Sequence, residues 1–378
     1  MKKKTICLNM IIKNESHVIE RSLDSVKHLI DYWIIVDTGS TDGTQQLVQE
    51  YFKDIPGELH ERPWVNFGHN RNEAMQLARG QGDYLLFLDA DDILVFSEDF
   101  ILPDLTEDIY SIFQRESNKD IYREHHIHFL IKNDPDFEWA GVLHEYLKVK
   151  TPKTSRLLTG IYSKYINDGA RSKDPNKALD DIKILTKAIE NDPNNTRYVF
   201  YLARAYWSIR SAKEGLHWFF RRSEMGGDPL EVYYSLLYIG IIQKYLDYSP
   251  KIFIDSFCQA YLYRPIRTES LYEVVRYFAE TRNFFLGYLV VQHIISVPLP
   301  EDNLFIESWV YDWGTPLYYF ICSLNIGKLD QAKETLMALL CNPRLPNNIR
   351  KFFKLDESWN LLTHSDYPVN TPNCGLNI

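Results

Sequence analysis

Three apolar runs, ICLNMII, WIIVD and YLLFLD, recur within the first ninety residues, and amphipathic stretches separate them. Residues 5–12 read as a buried strand. Residues 15–30 carry Val18, Ile19, Leu23, Val26 and Ile30 at helical spacing. Residues 33–36 form a second strand, and DTGSTDGT is a loop by composition. Asp42 is placed to N-cap a helix over 43–52. Residues 58–61 make a weaker strand, 69–79 a helix stopped by Gly80 and Gly82, and 84–88 a third strong strand. Strands alternating with helices require an α/β domain whose sheet is mainly parallel, with right-handed crossovers.

The pattern changes after residue 100. Residues 110–113, 121–131 and 139–149 read as strands between polar loops, an antiparallel or mixed extension of the sheet. Beyond SKDPNK (172–177) the chain is helical almost to its end, and a repeat emerges. Pro193, Pro229 and Pro265 are 36 residues apart, and Pro300 follows at 35. Helical runs such as RYVFYLARAYWSI and EVYYSLLYIGII follow these prolines, and a second helical run completes each unit. A helix pair of about this length is the tetratricopeptide period. The expected organisation is a domain over 1–170, a helical repeat domain over 171–362 and a loop-like tail over 363–378.

With 378 residues and 45% hydrophobic content the chain can build sizeable cores. A net charge of −9 argues against nucleic acid or an anionic membrane as the main partner. The five cysteines are scattered, odd in number and without metal-ligand spacing, which suggests reduced thiols and a cytoplasmic protein. No apolar run reaches the ~18 residues of a membrane span. HHIH (125–128) places His126 and His128 on one strand face, but no further zinc ligands follow, so a solvated face is the plainer reading.

The chemistry concentrates at strand ends, where open α/β sheets bind ligands. Asp37 closes one strand; Asp89, Asp91 and Asp92 crowd the end of another. Extended backbone would turn Asp89 and Asp91 to one side, a pair suited to Mg²⁺ or Mn²⁺ when substrate phosphates supply the remaining ligands. A plainer alternative is that these acids cap turns. Gly39 and Gly43 would allow unusual dihedrals or close approach of a ligand to the backbone. Asp37-Thr-Gly also occurs in aspartic proteases, but those are β-rich.

Taken in order, MIIKNE, VDTGSTDGT, RNEAMQLARGQGDYLLFLDADD and WAGVLHEYL resemble the family 2 glycosyltransferases of GT-A fold. DGARSKDPNK, FYLARAYW and MGGDPLEVYYSLLYIG resemble members with a tetratricopeptide-like helical tail. The resemblance spans roughly residues 4–300 and implies a nucleotide-sugar donor, expected to be UDP-linked, and a metal-dependent, inverting transfer to an acceptor hydroxyl. It implies that Ile12, Lys13, Asn14 and Glu15 border the base, that Asp37 meets base or ribose, and that Gly39 lies beside it. Asp89-Ala90-Asp91 matches the DxD motif that holds ribose and metal, and Arg71 matches an Arg-Asn pair near the donor. In GVLHEYL, His144 and Glu145 are candidates for the general base, and as strand neighbours only one would enter the site. Many relatives supply a later histidine to the metal. None occurs in GIYSKYINDGARS, where Asp168 is the nearest candidate ligand. The helical half could hold a glycan or protein acceptor. The competing reading makes it a peptide-binding scaffold beside an inactive nucleotide-binding domain; a nucleotidyltransferase would need a glycine-rich phosphate loop that is missing.

Overall fold

The computed structural model describes residues 3–118, 121–302 and 305–355. The expected tail over 363–378, with Cys374, lies outside them. The chain divides into two compact units, Met1–Ser211 and Ala212–Ile378.

The first unit opens with β1 (Ile6–Ile12), α1 (Ile19–Val26), β2 (Tyr32–Asp37), α2 (Thr44–Tyr51), β3 (Gly57–Glu61), α3 (Phe67–Leu77) and β4 (Tyr84–Phe87). Then come β5 (Ile93–Phe96), β6 (Ile109–Asn118), β7 (Ile121–Lys132), β8 (Phe137–Ala140), β9 (Tyr146–Val149) and β10 (Ser155–Tyr165). Helices α4 (Ala170–Lys173), α5 (Lys177–Asn191) and α6 (Thr196–Ser208) complete the unit. The main sheet has the order β3-β2-β1-β4-β7-β6-β10-β5, and β8 and β9 form a separate hairpin. β1 pairs in parallel with β2 and β4, and β2 with β3. β7 joins antiparallel to β4, which turns the sheet into its mixed half.

Alternation along β1 explains why both faces are covered. Ile6, Leu8, Met10 and Ile12 pack with Ile19, Leu23 and Val26 of α1 and with Val48 and Phe52. Cys7 packs on the opposite face with Met75, Ala78 and Leu85. Asn9, also buried, donates from Nδ2 to the Ala74 carbonyl of α3 at 2.8 Å, so its amide is not left unpaired.

Four expectations change. The helix expected over 15–30 shortens to α1, because the Glu15 carbonyl accepts from Val18 N and Ile19 N in a turn that precedes it. The N-cap of α2 is Gly43, at φ +91°, rather than Asp42; Asp42 Oδ1 accepts from Thr44 N at 3.1 Å. The strand expected over 139–149 is the β8–β9 hairpin, broken at Gly141 with φ +110°. Strands β5 and β10 were not anticipated.

The second unit is helical: α7 (Ala212–Glu224), α8 (Pro229–Tyr245), α9 (Pro250–Tyr263), α10 (Glu269–Glu280) and α11 (Phe284–Ile294) lead to a π-helical turn, Val310–Gly314. Then follow α12 (Thr315–Asn325), α13 (Leu329–Cys341) and α14 (Asn347–Leu355). Pro229 is the first residue of α8, where its missing N–H costs nothing, and Asp228 caps it by accepting from Leu230 N at 2.8 Å. Pro265 lies in the turn before α10. Side-chain bonds follow the proline spacing: Tyr233 Oη donates to Glu269 at 3.2 Å and Lys244 Nζ to Glu280 at 3.0 Å, each pair 36 residues apart. Each links α8 to the matching position of α10. Buried ion pairs among the described residues of this unit include Arg222–Glu231 at 3.0 Å and Arg267–Glu269 at 2.7 Å.

No described helix is long and apolar enough to cross a membrane. The four described cysteines are unpaired thiols.

Candidate active site

The loops after β1 and β2 are stitched together. The Ile12 carbonyl accepts from Thr38 N at 3.0 Å. Asn14, at φ +58°, donates from its backbone to Ser40 Oγ and accepts at Oδ1 from Thr41 N, both at 2.8 Å. Glu15 N donates to Thr44 Oγ1 at 2.9 Å. Within this frame Asp37 is fully buried. Its Oδ1 accepts from Gly39 N and Ser40 N at 2.8 Å and from Gln45 Nε2 at 3.1 Å. Its Oδ2 is buried without a protein partner. Such an acceptor costs about 1–3 kcal/mol unless a donor reaches it. Gly39, at φ +106°, lets the chain turn over Asp37. Ile12 is buried in the core, whereas Lys13 is exposed.

At the end of β4 the three acids part company. The strand stops at Phe87, and Asp92 N donates to the Asp89 carbonyl at 3.1 Å, so 89–92 form a turn rather than extended backbone. The expectation that alternation turns Asp89 and Asp91 together therefore fails. Asp89 Oδ1 accepts from Arg71 Nη2 at 2.7 Å. Asp91 Oδ2 accepts from Gly169 N at 3.1 Å. Asp92 is buried and accepts from Gln114 Nε2 at 2.6 Å and Ser163 Oγ at 3.0 Å, which ties the turn to β6 and β10. Ala90 is buried in the core.

Glu15 joins the acids from the other side, accepting from Ala170 N at 3.2 Å. Burial and the nearby Asp91 push its carboxyl up to about 7. Burial, Asp89 and Asp168 likewise raise Asp91 above the usual carboxylate range. Asp168, the candidate late metal ligand, is paired through both oxygens with Arg21, whose Nη1 lies 2.9 Å from Oδ2. Arg21 also donates to the Asp91 carbonyl at 3.2 Å. Among the described residues no group of three or more His, Cys, Asp or Glu forms a preassembled metal cage. Asp89 is exposed and Asp91 half-buried, and carboxylates of this kind suit a hard cation that takes most of its shell from phosphate and water.

Arg71 joins this cluster to GVLHEYL. Its Nε donates to Glu145 Oε1 at 2.5 Å while Nη2 holds Asp89, and the guanidinium lies 5.3 Å from the Trp139 ring centroid. His144 and Glu145 lie in the β8–β9 loop, so strand alternation does not govern them. Gly68 lets α3 approach this loop: a Cβ there would lie 2.4 Å from the Gly141 carbonyl oxygen. His144, at φ +52°, turns its ring away to stack on Tyr201 at 3.8 Å and 13°. The surrounding protein and the cations Arg204, Arg197, Lys177 and Arg171 all push its imidazolium pKa down. The residue is solvent-exposed, so water tempers the first cause, but the cations still favour a neutral ring. His126 and His128 lie on β7, in contact with Phe113 and Ser111 respectively.

Glu145→Gln keeps the shape of the side chain and removes its basicity. If Glu145 is the general base, turnover is expected to fall about 10²–10⁴-fold, as read from initial rates. Wild-type turnover in both Glu145→Gln and His144→Ala would place the base elsewhere.

A mainly parallel sheet with an antiparallel extension, and carboxylates at the carboxyl ends of β2 and β4, give the first unit the GT-A type of architecture. Residues 7–105 match the model of glycosyl transferase family 2, and this segment belongs to that family. A TPR repeat-containing protein of Synechococcus elongatus is 30% identical over 145 residues, 37% of this chain and 34% of that protein. A protein of Rickettsia bellii described as an uncharacterized glycosyltransferase is 30% identical over 133 residues, 35% of this chain and 40% of its own. The glycosyltransferase SunS of the Bacillus subtilis SPbeta prophage is 33% identical over 90 residues, 24% and 20% of the two chains. The chain thus spans two fifths or less of the length of these relatives. Among solved structures, S. aureus TarS 1–349 in complex with UDP-GlcNAc aligns with a TM-score of 0.36 and 13% identity over 64% of this chain and 91% of its own.

Proposed function

We propose that the protein transfers a sugar from a nucleotide-sugar donor, UDP-linked, to an acceptor hydroxyl, with inversion and the aid of a divalent cation. The observation that carries this reading is the chain Asp89–Arg71–Glu145, which brings a carboxylate of the donor motif and a candidate base onto one guanidinium. Asp37, with its buried unpartnered oxygen, is the natural contact for a base or ribose donor group. Ile12, Lys13, Asn14, Glu15 and Gly39 belong to the loops that border it.

The reaction is a single displacement. The acceptor oxygen bonds to the anomeric carbon as the bond to the diphosphate oxygen breaks, and the diphosphate leaves with the electron pair. The acceptor proton passes to Glu145, whose Oε1 is engaged by Arg71, leaving Oε2 as the atom to receive it. Arg71 fixes the orientation of this carboxylate, lowering the entropic part of the barrier. His144, turned onto Tyr201, is the less suited of the two to take the proton. A bound Mn²⁺ or Mg²⁺, held by Asp89 and Asp91, would supply charge stabilisation for the leaving diphosphate. The helical repeats offer an extended surface for a glycan or protein acceptor. The unpaired cysteines support a reducing, cytoplasmic setting.

The test is a donor screen: purified protein with individual nucleotide sugars and Mn²⁺ or Mg²⁺, with binding and hydrolysis measured. Binding of one or more UDP-sugars supports the reading. Failure to bind or hydrolyse any nucleotide sugar overturns it.

A further inference from the structure

We propose that Arg171, Lys177, Arg197 and Arg204, gathered round the His144 loop, form an oxyanion-binding site for a phosphate or carboxylate group carried by the acceptor. Calling the source the acceptor rests on the glycosyltransferase reading; the site itself does not.

The sequence of α6 builds half of it. Arg197, Tyr201 and Arg204 are spaced i, i+4 and i+7, so they share one face. Tyr201 is buried and both arginines are half-buried, their guanidinium carbons 5.0 and 5.6 Å from its ring centroid. Arg197 also lies 5.3 Å from the Tyr146 ring and donates from Nε to the His144 carbonyl at 2.9 Å. The start of the helical segment builds the other half. Arg171 lies 5.2 Å from the Phe67 ring, and Phe67 N donates to the Val142 carbonyl of the same loop at 3.3 Å. Arg171 pairs with Asp181, and the charge of Lys177 reaches both that carboxylate and His144.

Arg197 and Arg204 thus stand at the Tyr201 ring on which His144 stacks, and the charges of Lys177 and Arg171 are also felt at His144, in a chain whose net charge is −9. Guanidinium groups held against aromatic faces are pre-organised for oxyanions and lose little freedom on binding them. The neutral His144 ring keeps one N–H to donate. The neighbouring residue is Glu145, the candidate base. An anion held by these cations would anchor an acceptor at the same loop that carries Glu145.

The experiment titrates the full chain with inorganic phosphate by calorimetry, with and without saturating UDP and Mn²⁺. Phosphate is expected to bind equally well in both cases. Arg204→Gln and Lys177→Gln are each expected to weaken it about tenfold or more without changing UDP affinity. Arg204→Lys, which keeps the charge, should recover part of the loss, so a folding defect in Arg204→Gln would not mimic the result. Competition between UDP and phosphate, together with weaker UDP binding in Arg204→Gln, would assign the cations to the donor diphosphate and overturn the acceptor assignment. Absence of phosphate binding to the wild type would show that they only brace the loop, and would overturn the site. Phosphate binding that depends on Arg204 in a protein that binds no UDP would uphold the oxyanion site while the donor reading fails.

Discussion

Asp91→Asn is expected to reduce glycosyl transfer about 10²–10³-fold and to remove the metal dependence of UDP binding. In the wild type, UDP should bind more tightly with Mn²⁺ or Mg²⁺ than with a chelator; in Asp91→Asn that difference should largely vanish. The reason is electrostatic. Asp91 is half-buried and lies near Asp89 and Asp168, which together outweigh the Gly169 amide and disfavour its ionised form, so a bound cation would stabilise it. The adjacent Asp92→Asn is the informative contrast. Asp92 is buried against Gln114 and Ser163, and its replacement is expected to leave metal-dependent UDP binding in place. Calorimetry giving the wild type identical UDP affinity with and without metal would count decisively against a metal-dependent reaction.

The second large effect is on stability. Arg222 and Glu231 form an ion pair with both side chains almost wholly out of water, and Arg222 also donates to the Gly226 carbonyl at 2.7 Å. Arg222→Met would leave a buried carboxylate without its cation, at a cost of about 3–5 kcal/mol. Chemical denaturation of the full chain should show the transition that involves the helical unit moving to lower denaturant. The double variant Arg222→Met/Glu231→Leu should recover most of the loss, because replacing both charges removes the desolvation penalty. A double variant no better than Arg222→Met would mean that the arginine's bonds to the turn carbonyls, rather than the ion pair, hold this corner together.

Much of the first unit was legible because its strands are apolar runs bounded by polar turns. β1, β2 and β4 were anticipated within two residues, and the prolines marked the helix pairs. β10 escaped because its register shifts between Leu157 and Tyr162 and Gly160 adopts φ +80°, so apolar positions do not alternate cleanly along it. β5 is four residues long and follows the acidic turn directly. The β8–β9 hairpin was hidden by the mostly apolar character of WAGVLHEYL, although Gly141 within it was the available signal for a break. The site was legible in its parts but not in its pairings. Asp37, Asp89 and Asp91 stand out as acids at strand ends. Nothing in one sequence says that Arg71 will meet Glu145, 74 positions away, or that Arg21 will bind Asp168, 147 away. Those contacts are set by the sheet order, which brings remote loops to one edge.

The bonds from Tyr233 to Glu269 and from Lys244 to Glu280 have a consequence for how such a helical array can change over time. Both connect positions one full period apart and lie eleven residues from each other along each helix. A single-residue insertion within α8 or α10 would rotate one partner by about 100° and take at least one of the bonds out of reach. An insertion in the turn after α9 would leave both in phase. The helices therefore behave like text in a fixed reading frame. Whole periods can be duplicated or lost, and linkers can lengthen, but the frame within a helix cannot slip.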